Sequence, residues 1–191
     1  MNEINFEHDI INSLEQLKKG GIILYPTDTI WGIGCDATNN EAVNKIIQLK
    51  QRPQLKSFVV LVASEKDVLQ YTASPDLAVF DYLQTVQKPT TVIYEHALSL
   101  AENVCNADGS VAIRICSDEF CRHLIRRFRK PIVSTSANVS GEPSPSNFAQ
   151  VSPVIRKGVD YIVQYRQNDN TEHAASSLIR WKNNKAEIIR P

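Results

Sequence analysis

The chain has 191 residues, 42% of them hydrophobic, and its 21 Lys plus Arg are balanced by 21 Asp plus Glu, a formal net charge of zero at pH 7. That length suits a single domain over residues 1–191 with one sizeable core, and the charge balance excludes a whole-molecule field for nucleic acid or membrane, leaving such a role to a local patch. The acidic start Met1-Asn2-Glu3-Ile4-Asn5-Phe6-Glu7 lacks the order of a signal peptide and no apolar run reaches spanning length, so the expected location is cytoplasmic, with no membrane partner.

Residues 7–19 place Ile10, Leu14 and Leu17 at helical spacing and close on Lys18, Lys19, Gly20 and Gly21, a helix stop. Ile22-Ile23-Leu24-Tyr25 predicts a buried strand broken by Pro26, from which Thr27-Asp28-Thr29 leaves as a polar turn. Gly32-Ile33-Gly34-Cys35-Asp36-Ala37 fits a loose dinucleotide-binding pattern, but Thr27 to Trp31 separates it from the strand and no acid stands at ribose spacing. A tight turn with close backbone approach is expected there instead.

A helix from about Asn40 carries Val43, Ile46 and Ile47 on one face and ends in the basic run Lys50, Arg52 and Lys56, with Pro53 as its stop. Such cations suit phosphate groups, and equally an ordinary solvated helix end. Residues 58–63 form a continuous apolar strand, and Ser64-Glu65-Lys66-Asp67 reads as a capping box opening a short helix. Ser74-Pro75 is expected to cap a helix that buries Leu77, Phe80 and Leu83.

Strands follow at residues 91–94 and 111–116. Within the second, alternation sets Arg114 on the face opposite Ile113 and Ile115, where its charge needs either a protein carboxylate or a ligand carboxylate. A helix over residues 118–129, capped by Ser117, turns Cys121, Leu124, Ile125 and Phe128 inward. Its outer face carries Arg122, Arg126 and Arg129, with Lys130 nearby; the stripe reads as a solvated face partly neutralised by Asp118 and Glu119, with RNA or an acidic partner as the alternative.

The apolar run before Ser134-Thr135-Ser136-Ala137-Asn138-Val139-Ser140-Gly141 ends in small polar residues, which fits a polar loop after a strand or a small-ligand site at a sheet edge. A short helix near residues 147–156 and strands at 161–164, 177–181 and 186–189 complete the chain, the last two joined through Asn183-Asn184. Helices alternating with strands early and a hairpin late indicate an α/β fold with a mixed sheet. The sequence holds neither a P-loop nor a Gly-x-Ser-x-Gly elbow. Cys35, Cys105, Cys116 and Cys121 read as reduced, mostly buried thiols, since Cys116, Cys121 and His123 match no zinc spacing.

Taken together, Tyr25-Pro26-Thr27-Asp28-Thr29 with Gly32-x-Gly34, Lys50-x-Arg52-Pro53 with Lys56, Val111-Ala112-Ile113-Arg114, and Ser134 through Gly141 resemble the YrdC-like family, the threonylcarbamoyl-AMP synthases. The resemblance runs from about residue 10 to Arg190-Pro191. It implies a twisted mixed parallel and antiparallel sheet with flanking helices around a concave basic cavity. There ATP, carrying Mg2+, L-threonine and bicarbonate would give threonylcarbamoyl-AMP and pyrophosphate for tRNA modification, with tRNA or the downstream transfer proteins as partners.

By position, Thr29, Arg114 and Ser134 would hold threonine. Arg52, Lys56, Ser110, Ser136, Asn138, Ser144 and Arg190 would contact ATP, and Lys50 with Arg52 would be catalytic through charge neutralisation. Cys116 stands where the family usually has proline, Lys88-Pro89-Thr90-Thr91 lacks the usual Gly-Pro, and Ser176-Ser177-Leu178-Ile179 replaces a more typical Ser-Thr-Ile. The end at Arg190-Pro191 is expected to exclude the extra C-terminal domain of longer members. The competing expectations are a non-catalytic RNA-binding module of the same fold and a general ATP-using ligase or hydrolase for another amino acid.

Overall fold

A computed structural model describes residues 6–51 and 58–191. Helix α1 (Glu7–Lys18) buries Ile10 and Leu17 and stops as its closing residues require. Gly20, at φ +70°, donates to the Leu17 carbonyl and Gly21 to that of Gln16, a Schellman closure that needs the left-handed conformation glycine adopts without strain. Strand β1 (Ile23–Tyr25) follows. Residues Gly32–Gly34 then form β2, a strand antiparallel to β1 and not the tight turn expected.

The close approach is nonetheless real. A Cβ on Gly34 would stand 2.5 Å from the Val133 carbonyl oxygen and 2.6 Å from the Tyr25 ring. Glycine is required there by crowding against a neighbouring strand, since tight spacing between backbones leaves no room for a side chain.

Helix α2 (Asn40–Leu49) starts on Asn39, whose side chain accepts from the backbones of Glu41 and Ala42. Strand β3 (Val59–Val62) leads to α3 (Glu65–Tyr71), where Ser64 accepts from the Asp67 backbone and Asp67 accepts in return from that of Ala63. Helix α4 (Ala78–Thr85) begins later than Ser74-Pro75 implies. Ser74 has φ +48°, Asp76 accepts from the Ala78 amide, and Leu77 is 60% exposed while Val79 is buried in its place. The expected cap lies too far upstream to meet an unpaired helix amide.

Strands β4 (Thr90–Tyr94) and β5 (Val111–Ile115) pair antiparallel. Helix α5 (Glu119–Phe128) is capped by Asp118, which accepts from Cys121. Ser117, expected as the cap, instead gives its amide and hydroxyl to Asp28. Strand β6 (Ile132–Ser136) carries Ser134, Thr135 and Ser136 inside the sheet, so the polar stretch begins within a strand. A 3-10 turn (Phe148–Gln150) and α6 (Pro153–Gly158) replace the single helix expected near residues 147–156. Strand β7 (Tyr161–Ile162) and the hairpin β8 (Ser177–Lys182) and β9 (Lys185–Arg190) end the chain. The hairpin turns on Asn183 and Asn184, both at positive φ, as its right-handed twist demands.

Among the described residues, nine strands form one mixed sheet in the order β7-β1-β2-β6-β3-β5-β4-β8-β9. Alternation divides its side chains between two cores. Leu24, Ile33, Val60, Val62, Ile113 and Val133 pack under α2, α3 and α4, whereas Ile23, Tyr25, Leu61 and Ile132 pack under α1 and α5. Cys35, Cys116 and Cys121 are buried free thiols and Cys105 is half-buried. Among the described residues, no helix is long and apolar enough to cross a membrane.

Candidate active site

On the α1/α5 side of the sheet the helices leave part of the face uncovered. The alternation that buries Leu61 and Ile132 continues with Val59, Ala112, Arg114 and Ser134, which are in register across β3, β5 and β6. These residues line an open cleft of about 240 Å³. Thr29, Ile30, Trp31 and Gly32 form one wall, and Ser136, Ser144, Ser176, Leu178 and Arg190 contribute further lining. Gly32 gives close access because a Cβ there would come within 3.1 Å of the Ser134 hydroxyl.

The wall at Thr29 is built by its own loop. The Thr27 hydroxyl donates to the Ile30 carbonyl at 2.9 Å and accepts from the Thr29 amide at 3.0 Å. With its proton committed, Thr27 is the acceptor in the 3.0 Å contact with the Thr29 hydroxyl, which leaves lone pairs on Thr29 able to accept from a ligand. Below Ser134, burial pushes the Tyr25 phenol well above the ordinary tyrosine range, with the neighbouring Ser134 hydroxyl pulling in the opposite direction. Tyr25 therefore stays neutral and donates to the Val133 carbonyl at 3.2 Å.

Arg114 is the buried cation of the cleft. Its Nη2 lies 3.0 Å from Oδ1 of Asp28, with side chains 5% and 8% exposed. The contact is ionic and poorly aligned, since Oδ1 accepts no straight hydrogen bond and Nε of Arg114 makes none. Of the two partners the sequence left open for Arg114, the protein carboxylate is present. At the other side Arg190 donates through Nε and Nη2 to the Ser176 carbonyl, at 3.2 and 2.9 Å.

Thr29, Arg114, Ser134, Ser136, Ser144 and Arg190 thus share one cleft. Ser110, Asn138 and Lys50 are not in its lining. Ser110 stands just before β5, where its amide and its hydroxyl donate to Asp108 at 3.0 and 2.6 Å and close a turn, and these bonds hold the Asp108 carboxyl below its usual range. Asn138 donates to the carbonyls of Val139 and Glu142, folding the exit from β6. Lys50 is only 1% exposed; its ammonium donates to the Ser136 carbonyl and, at 2.6 Å, to that of Asn138. Arg52 and Lys56 lie outside the described residues.

Sequence inspection missed Trp31 and Leu178 in the lining and Asp28 behind it. Trp31 had a visible signal, a large aromatic between the polar Thr27-Asp28-Thr29 turn and Gly32-Ile33-Gly34, whereas Leu178 enters only through the pairing of β8 with β4. The basic stripe on α5 is also partnered differently: Asp118 pairs with Arg166, at 2.8 Å, and Glu119 faces His123.

Residues 15–191 match the Sua5/yciO/yrdC family model, described as telomere recombination. The threonylcarbamoyl-AMP synthase of Vibrio parahaemolyticus is 35% identical over 143 residues, covering 73% of this chain and 75% of that one. That of Idiomarina loihiensis is 32% identical over 148 residues, covering 76% and 80%. A crystal structure of P. abyssi Sua5 complexed with L-threonine superposes with a TM-score of 0.85 at 22% identity, over 97% of this chain and 54% of that longer one.

Proposed function

The chain belongs to the Sua5/yciO/yrdC family, and from that premise we propose that its cleft makes threonylcarbamoyl-AMP and pyrophosphate from L-threonine, bicarbonate and ATP. The protein is then a nucleotidyltransferase, an L-threonylcarbamoyladenylate synthase. Its product feeds the threonylcarbamoyl modification of adenosine in tRNA, in the cytoplasm. The supporting observation is convergence: residues from the Thr29 loop, β5, β6, Ser144 and β9 meet on one cleft in a chain whose relatives carry that name.

The chemistry asks for positioning more than for a protein nucleophile. The threonine amine bonds to the bicarbonate carbon, water leaves, and a carbamate results. One carbamate oxygen attacks the α-phosphorus of ATP while the bond to the β-phosphate oxygen breaks and pyrophosphate departs. Two anionic reactants must approach, so the gain comes from fixed geometry and placed positive charge.

In this assignment Arg114, with its unbonded Nε, receives the threonine carboxylate, and Thr29 and Ser134 hold the polar remainder. Ser136, Ser144 and Arg190 contact the nucleotide. Lys50 and Asn138 shape the strand exit that carries Ser136, and Ser110 serves through the turn before β5. Arg52 and Lys56 are assigned to the phosphates on the resemblance alone. Magnesium would enter with ATP as part of the substrate.

Pyrophosphate release, measured with and without threonine and bicarbonate and with serine or valine in place of threonine, tests the proposal. Release should require both co-substrates and fall with either replacement amino acid. Threonine-independent release would discard it.

A further inference from the structure

Asp28 has no role in the chemistry above, yet it is the carboxylate that meets the buried cation of the cleft. Its Oδ2 accepts from the Ser117 amide at 3.1 Å and from the Ser117 hydroxyl at 3.2 Å, which ties the Thr29 loop to the junction of β5 and α5. The loop is clamped on both sides of Asp28 as well. Cys121 donates through Sγ to the Pro26 carbonyl, and Arg166 through Nη2 to the Thr27 carbonyl. Asp28 is therefore held by groups other than Arg114.

The remaining oxygen, Oδ1, lies 3.0 Å from Nη2 of Arg114 but accepts no aligned hydrogen bond, and Nε of Arg114 is buried and unbonded. A bidentate carboxylate partner would have consumed one edge of the guanidinium fork. This one neutralises the charge without doing so.

We infer that Asp28 is a positioning residue: it offsets the charge of Arg114 and aims the guanidinium in a buried site while leaving its directional donors for the carboxylate of an amino-acid ligand. Asp28 itself lies outside the cleft lining and acts through Arg114. The inference rests on the threonine assignment of Arg114 given above. It adds a residue that selects for a carboxylate-bearing substrate without touching it.

The test uses the full chain and two readouts, threonine binding followed by Trp31 fluorescence, since Trp31 lines the cleft, and steady-state pyrophosphate release. Asp28→Asn keeps the shape and an acceptor for Ser117 but removes the charge. It should weaken threonine binding and raise the threonine KM at least tenfold, with the ATP KM changed less than twofold. In an Arg114→Lys background, which lacks the fork, the same substitution should add less than threefold.

An unchanged threonine KM, a parallel rise in the ATP KM, or a full effect in the Arg114→Lys background would each overturn the inference. Should Asp28→Asn fail to fold, Ser117→Ala loosens the carboxylate by one bond and should raise the threonine KM two- to fivefold; no rise would overturn it. Wild-type turnover that ignores threonine is a separate failure, that of the synthase assignment.

Discussion

Val60, Ile113 and Val133 point to one face of the sheet and are 0–2% exposed; Val59, Ala112, Arg114 and Ser134, next to them in the chain, point to the other and line the cleft. The first face is covered by α2, α3 and α4 and holds apolar side chains against apolar side chains. Each such residue removed from water contributes roughly 1.5–3 kcal/mol. The second face carries a desolvated ion pair and an unbonded guanidinium nitrogen, arrangements that cost stability unless something completes them.

Two buried carboxylates make the same contrast. Asp9 accepts from the Tyr161 hydroxyl and from the amides of Gln164 and Tyr165, and is fully used. Asp28 keeps one oxygen without an aligned donor. Asp9 is spent on holding the fold, whereas Asp28 keeps one acceptor unfilled beside Arg114 of the cleft.

The largest expected separation lies between adjacent residues of β5. Arg114→Met should lower threonine-dependent pyrophosphate release at least ~100-fold, the order seen when a placed charge is lost, while circular dichroism still reports a folded chain. Ile113→Ala should instead cost about 2–5 kcal/mol in urea unfolding and leave turnover per folded molecule within a few-fold. A result in which both variants lose stability and activity together would break the division between the faces.

Lys50→Met asks whether a buried lysine behind the cleft acts through structure. Removing its donor from the Asn138 carbonyl should cost about 1–3 kcal/mol, while the Ser136 carbonyl keeps the Asn138 amide, and the change should raise the ATP KM more than the threonine KM. An effect on kcat alone, with stability intact, would point to direct contact with the reacting phosphates.

The two glycines of β2 sharpen the comparison on one short strand. Gly34→Ala, facing contacts of 2.5 and 2.6 Å, should destabilise the fold by about 1–3 kcal/mol. Gly32→Ala, with its nearest neighbour the Ser134 hydroxyl at 3.1 Å, should be milder in unfolding and appear in KM instead.

The smallest effect concerns the saturated carboxylate. Burial and the bond to Asp9 push the Tyr161 phenol up to about 12, above its unfolded value of about 10. A raised folded value means that this group's stabilisation is full below the unfolded value and is lost as pH rises through the folded one. Tyr161→Phe should therefore cost about 1 kcal/mol at neutral pH and flatten the decline in urea stability between pH 10 and 12.

Much of the fold was legible because local signals agreed with packing. Gly20-Gly21 closed α1, Asn183-Asn184 turned the final hairpin, and the continuous apolar runs became β1 and β3. The errors have physical causes. Ser74 and Ser117 have the side chains of caps, but Asp76 and Asp118 stand nearer the amides that needed an acceptor. Gly32-Ile33-Gly34 has no composition of a strand; it becomes one because β1 and β6 flank it closely and only glycine fits at Gly34.

The candidate site divides in the same way. Sequence alone determined the residue types, the alternation that set Arg114 apart from Ile113 and Ile115, and the family resemblance. Tertiary structure decided which of these groups meet. Thr29, Arg114, Ser134, Ser136, Ser144 and Arg190 converge because β8 and β9 return beside β4, while Lys50 and Ser110 turn their polar atoms to backbone and turn partners. It also decided that Asp28 faces Arg114, a contact set by the packing of the Thr29 loop against β5. Burial and charge pairing depend on what lies across a fold, and an amino-acid sequence orders only what lies along the chain.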